Sequence, residues 1–318
     1  MKHFLLMLKA ILIVCVMAVS SAYPIAPIDT SSGSEEGLTK EYELAFKDKK
    51  GDVDFYSMRT VYYHGDAIGI TQNREEYLGS FKREVLEASV DSLLVKYTWK
   101  SYKEGKAAGL KQEITEWKIH PFSDGFTYKF DLKGASYLDA ADFEPVPKTL
   151  LGWKFAVNIM DAHAQFECLR NESSGNISKV KRIGDRVMVN DAHKSSSVDF
   201  PPVITESSFT NGDYETVFTG IGTAGGKKCA VLEYINTESI LKTKTQVNPE
   251  IAIDMQGTSN FWGHIYIDLE SGKLIQGDLY EYVVISGTSS IPMLKNMRLF
   301  ERRLVEIKKI SEQEFKAR

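Results

Sequence analysis

The sequence predicts a mainly β protein of α+β class, curved and antiparallel in one sheet or two and packed on one long central helix. Three observations carry this. Leu93, Val95, Tyr97 and Trp99 alternate with Leu94, Lys96, Thr98 and Lys100, and Phe126, Tyr128, Phe130 and Leu132 with Thr127, Lys129 and Asp131, a period of two that puts large apolar groups on one strand face. Turn signals separate such runs at His64-Gly65-Asp66, Glu104-Gly105-Lys106 and Ser123-Asp124-Gly125. Between about 149 and 169 the period changes to that of a helix.

The elements follow in order. Met1-Lys2-His3 is a short basic start, and Phe4 to Val19 is apolar apart from Lys9. Ser20-Ser21-Ala22 supplies small residues where a signal peptidase reads, so 1–22 is expected to be a secretory signal peptide. The apolar run is short for a bilayer span, and nothing after residue 22 is long and apolar enough for one. Residues 23–37, rich in Pro, Ser, Gly and acids, read as a flexible leader. Residues 38–147 then read as an N-terminal antiparallel meander.

Pro145 and Pro147 precede the helix, taken as 148–170. On it Lys154, Asn158, Asp161 and Gln165 fall at steps of four, three and four and form one polar stripe. With Trp153, Phe155, Val157, Ile159 and Phe166 elsewhere, the helix is expected to bury its apolar sides and turn this stripe to solvent. Residues 171–318 form a C-terminal antiparallel region. Its hairpins turn at Gly225-Gly226 and Ser271-Gly272, 297–309 is taken as a strand, and Ser311-x-x-Glu314 opens a short last helix.

Composition excludes several classes. With 318 residues, 43% hydrophobic and 26% charged, the chain is no collagen, rod or disordered polymer. A net charge of −4, which becomes −6 once Lys2 and Lys9 leave with the signal peptide, offers no field for nucleic acid. Gly220-Ile221-Gly222-Thr223-Ala224-Gly225 spells a dinucleotide fingerprint, but the Cys229–Tyr234 stretch after it reads as a strand where that motif needs a helix. The glycines are therefore assigned to a turn, and no cofactor or metal is expected. Ser239-Ile240-Leu241-Lys242 has acyl-serine spacing without its companion motifs. Asn171-Glu172-Ser173 and Asn176-Ile177-Ser178 fit the N-glycosylation pattern and mark a surface loop.

Three groups of residues are candidates. Cys168 and Cys229 remain after signal removal, in a compartment that permits a bridge; the other reading is two separately buried thiols. His163 and Glu167 share one side of the helix end, as half of a metal or acid–base site or as a structural hydrogen bond. His264, Tyr266 and Asp268 share one strand face, lining a ligand cavity or facing water. With Trp153, these five residues are the expected ligand-binding set; none is assigned a catalytic role.

The stretch from Gly263 through Asp268 and Gly272 to Leu274, a strand ending at Asp, a Ser-Gly turn and a long return strand, resembles a unit of bacterial envelope proteins, the lipoprotein-localisation carriers and their relatives. That resemblance implies a curved antiparallel sheet around a helix, as in a half-barrel, and the signal peptide implies an exported protein, periplasmic or extracellular. The expected function is non-enzymatic binding of a hydrophobic ligand, a lipid or a lipidated partner. The alternatives are an envelope interaction protein without a small ligand and, third, a hydrolase using His163, Glu167 or His264. Cleavage is expected after Ala22, so the intact mass of the secreted form should begin at Tyr23; a chain still starting at Met1, or lipidated at Cys15, contradicts this.

Overall fold

Alternating strands need partners on both edges, and their pairing decides whether the two β regions are separate. The structure, a computed structural model, describes residues 39–65, 71–89, 92–109, 112–131, 143–166, 177–188, 195–197, 199–248, 251–289 and 297–318. The expected signal peptide and leader, Leu132, Glu167, Cys168 and the acceptor asparagines Asn171 and Asn176 lie outside them.

The N-terminal strands are β1 (Val53–Gly65), β2 (Thr71–Ser89), β3 (Ser92–Ala107), β4 (Trp117–Ile119) and β5 (Thr127–Asp131). Helix α1 (Leu150–Phe166) follows, then the short β6 (Arg186–Met188) and β7 (Ser195–Ser196). The C-terminal strands are β8 (Ile204–Thr210), β9 (Asp213–Ala224), β10 (Lys227–Asn248), β11 (Ile251–Asp268), β12 (Leu274–Ser289) and β13 (Met297–Ile310), closed by α2 (Glu312–Ala317).

All thirteen belong to one antiparallel sheet with the path β4-β3-β2-β1-β13-β12-β11-β10-β8-β7. The join is β1 against β13, in unbroken register from Phe55↔Ile310 to Gly65↔Phe300. The first and last long strands thus fuse both regions into one sheet, and among the described strands it does not close into a barrel.

Both ends of the sheet fork. β3 pairs with β5 through Leu94–Thr98 and with β4 through Lys103–Gly105, and Ser101 between them has φ 58°. β10 pairs with β9 up to Thr237 and with β8 from Ile240, and Glu238 between them has φ 60°. A positive φ in a non-glycine residue is a local strain that re-aims the strand. Gly212 permits the second fork, because a Cβ there would sit 1.7 Å from the Thr237 carbonyl oxygen. Gly225 and Gly226, at φ 54° and 73°, turn the β9–β10 hairpin, so a strand and not a helix follows the glycine-rich motif.

The inner face carries an aromatic core. Val95, Tyr97 and Trp99 of β3, Tyr128 and Phe130 of β5, and Phe81 of β2 are buried together. Phe155 of α1 enters this layer edge-on to Trp99 at 5.2 Å and to Tyr102 at 4.8 Å. Ser311 caps α2 in a full capping box with Glu314, as its spacing predicts.

Two expectations about the helix are corrected. One long central helix is not supported: the described helices are α1, of 17 residues, and α2, of six. At about 1.5 Å per residue α1 runs roughly 25 Å, the width of about five strands, and cannot back the whole sheet. The polar stripe is reversed as well. Lys154, Asn158 and Asp161 are buried, at 4%, 1% and 7% exposure, whereas Trp153 is only partly buried. The stripe faces the sheet because the inner face supplies matching polar groups. Lys154→Ala should therefore cost about 3–5 kcal/mol, by stranding a buried carboxylate, rather than the few tenths of a surface change. Denaturant unfolding checks this; a loss below about 1 kcal/mol would return Lys154 to the surface.

Candidate functional site

The polar groups under α1 form a seam. Lys154 Nζ donates to Glu75 Oε2, and Lys106 Nζ donates to Glu75 Oε1 at 3.1 Å. Tyr77 Oη donates to Glu75 Oε2 at 3.0 Å. One turn along the helix, Asn158 Nδ2 donates to Tyr102 Oη at 2.6 Å. One further turn on, Arg303 Nη1 donates to Asp161 Oδ2 at 2.5 Å while its Nε donates to Glu281 at 2.7 Å. Glu281 and Arg303 are cross-strand partners on β12 and β13, and Ser259 donates to the other oxygen of Glu281 at 2.5 Å.

β1 bridges the two halves of the seam. His64 is fully buried, with Nδ1 3.4 Å from Glu301 and Nε2 3.6 Å from Glu75, ion-pair rather than hydrogen-bond distances. Tyr62 stacks on its ring at 6.0 Å and lies under both Lys154 and Arg303.

Burial alone would lower the His64 pKa, but Glu301 and Glu75 outweigh it and Lys154, and the imidazole sits above its usual 6.5. Burial would raise the Glu75 carboxyl, yet Lys154, His64 and Lys106 hold it well below the carboxylate range. Asp161 behaves oppositely: burial pushes it up to about 6 although Arg303 pulls it down. The seam is a locked set of charges whose members answer one another.

Those of the expected site residues whose side chains are described do not converge. Trp153 packs against the core with its indole N–H buried and unpaired by any described residue. His163 lies in the last turn of α1, its side chain outside the described set, as is Glu167. His264 bonds Asp278, Nδ1 to Oδ1 at 3.2 Å, and is part-exposed. Tyr266 packs in a small cluster with Cys229, Val231 and Ile275. Asp268 caps its turn, accepting from Ser271 Oγ at 2.6 Å and from the Glu270 amide at 3.2 Å. The three thus have separate duties. Cys229 is a free, buried thiol that burial pushes up to about 11, and its expected partner Cys168 lies outside the described residues. Among the described residues no group of three His, Cys, Asp or Glu side chains could hold a metal.

The face away from α1 carries residues that alternation did not single out. Trp262 stacks on Tyr280 at 6.0 Å and on Tyr282 at 5.4 Å, and Tyr282 meets Phe300 at 5.6 Å. The Arg302 guanidinium lies 4.8 Å over Tyr63 and 5.9 Å over Tyr282. Val284 is 50% exposed and Ile240 40%. A signal for this face was available, since Tyr280, Tyr282 and Val284 are apolar at one parity while Leu279, Val283 and Ile285 are apolar at the other.

No family model matches the chain, and no curated protein sequence matches it. Among solved structures it is similar to a Bacteroides fragilis protein with a YmcC-like fold, classed provisionally as exported, at 10% identity and a TM-score of 0.26, over 85% of this chain and 100% of that one. It is also similar to OmpF of Salmonella typhi in complex with daunomycin, at 8% identity and TM-score 0.20 over 82% and 98%. A mutant porin of Rh. blastica aligns at 9% identity and TM-score 0.17 over 81% and 99%. Likenesses this slight carry no argument about fold or activity. No described helix is long and apolar enough to cross a membrane.

The seam predicts a pH signature. A histidine raised above its unfolded value stabilises the fold in full below about 6.5 and loses that effect as pH rises through its folded value. His64→Gln should therefore lower Tm most at pH 5.5, with the gap to wild type narrowing towards pH 9. A gap that does not change with pH would mean that the His64 pKa is the same folded and unfolded, and a gap that narrows as pH falls below about 6.5 would mean that the buried imidazole stays neutral.

Proposed function

We infer that this chain is an exported, non-enzymatic envelope protein that binds a hydrophobic partner, a lipid or a lipidated protein, on the outer face of its sheet. The basic and apolar start with its small-residue cleavage site supports export. The observation that carries the binding reading is the contrast between the two faces. Phe155, Ile159 and Ala162 of α1 are buried in the aromatic layer and the charges around them are paired. The aromatic and aliphatic groups of the outer face have no such cover among the described residues.

Monomeric soluble proteins seldom leave contiguous apolar patches without a use. Half-buried Trp262, Tyr282 and Phe300 beside exposed Val284 make such a patch, and Trp and Tyr suit a site with one wet and one apolar side. The filled inner layer also supports a second reading, an envelope interaction protein with no small ligand.

Native mass spectrometry of the protein purified from its own host separates the two. A retained lipid-sized adduct, diminished in Trp262→Ala, is the expected result. The bare polypeptide mass, with a second protein that carries no lipid co-purifying in fixed ratio, would overturn the hydrophobic-partner reading in favour of the second.

A further inference from the structure

The outer face has an order along its strands that the general reading above does not use. One row, Trp262–Tyr280–Leu304–Val61, crosses β11, β12, β13 and β1, its first two rings half-buried and Leu304 and Val61 buried. The next is Tyr282–Arg302–Tyr63, a cation between two rings. Then comes Ile240–Thr258–Val284–Phe300, with two exposed aliphatics. The fourth row, Lys242–Gln256–Ser286–Arg298, is exposed throughout and borders an open trough of ≈ 880 Å³.

We propose that this face docks on an anionic bilayer surface, Val284, Ile240 and Phe300 entering the headgroup boundary while Lys242 and Arg298 meet lipid phosphates. This rests on the hydrophobic-partner reading and names its partner.

Charge selects this occupant. The chain as a whole is at −4, yet among the described residues this end of the face carries Lys242, Lys244, Arg298 and Arg302 against Glu206 and Asp254. Lys244 pairs with Glu206 at 3.7 Å, whereas Lys242 and Arg298 form no ion pair with a described residue. Unpaired cations beside exposed apolar groups and a Trp/Tyr belt are the composition of an interfacial surface.

Ring geometry argues against a sugar platform. Trp262 lies nearly parallel to Tyr280 and Tyr282, at 16° and 28°, so these rings spend their faces on one another and leave edges outward. A pyranose needs an open ring face.

Co-sedimentation of the purified protein with phosphatidylglycerol/phosphatidylcholine vesicles, against phosphatidylcholine alone, tests the proposal. Binding should need the anionic lipid and weaken as salt rises. Lys242→Gln with Arg298→Gln should weaken it about tenfold or more, as should Val284→Asp; both sites are exposed, and an unchanged melting temperature confirms that the variants fold. Equal binding to both vesicles, variants that bind like wild type, or no vesicle binding at all would overturn it. If vesicles fail but native mass spectrometry still finds a retained lipid, this docking mode falls and the broader reading stands. If both fail, both fall. A dimer in solution that Val284→Asp dissociates would assign the face to a second copy and overturn the bilayer.

Discussion

The helix stripe fixes the rest of the architecture. Lys154, Asn158 and Asp161 must each find a partner once buried, because an unanswered charge or amide in the core costs several kcal/mol. Their partners are Glu75 on β2, Tyr102 on β3 and Arg303 on β13. These strands come from opposite ends of the chain and lie within reach of one helix only because β1 and β13 are neighbours. Helix register and sheet order are thus one constraint. A slip of α1 by one residue would turn all three polar groups away from their partners together.

Such a seam is a better source of specificity than of raw stability. Removing charges from water is expensive, and their mutual attraction repays this only with good geometry. Here the geometry is dense: Glu75 receives Lys154, Lys106 and Tyr77, and Arg303 joins two acids. His64, between Glu75 and Glu301, ties the two charge groups into one. Apolar packing alone would let Phe155 and Ile159 slide over an aromatic surface; the paired charges define one seat.

What the sequence conveys and what it withholds follow from the same physics. Period-two alternation placed Val95, Tyr97, Trp99, Tyr128 and Phe130 on a buried face, and the Gly225-Gly226 turn was plain from its chemistry. Helical periodicity located the angle of the polar stripe but not its direction, because a 100° arc of polar residues looks the same facing water or facing a charged sheet. Only Glu75 and Arg303, far off in sequence, decide it. The β1–β13 pairing was likewise hidden, since no local signal marks a contact over that separation. His264, Tyr266 and Asp268 share a parity, yet they serve an ion pair, a small core and a turn. A shared face does not make a shared site.

A sheet with one face locked and the other uncovered among the described residues divides its work. The inner face answers every helix charge named above, and opening it would break several buried pairs at once, so ligand entry beneath α1 would cost most of the organisation there. The outer face asks for no such rearrangement. Its rows pass from the half-buried Trp262–Tyr280 pair to the exposed Lys242 and Arg298 within four rows along the strands. Over that distance, about 20 Å at the strand rise, the surface changes from apolar to cationic. A partner that is itself graded, greasy inside and charged at its rim, is met by side chains already in place, which keeps the ordering cost of binding low.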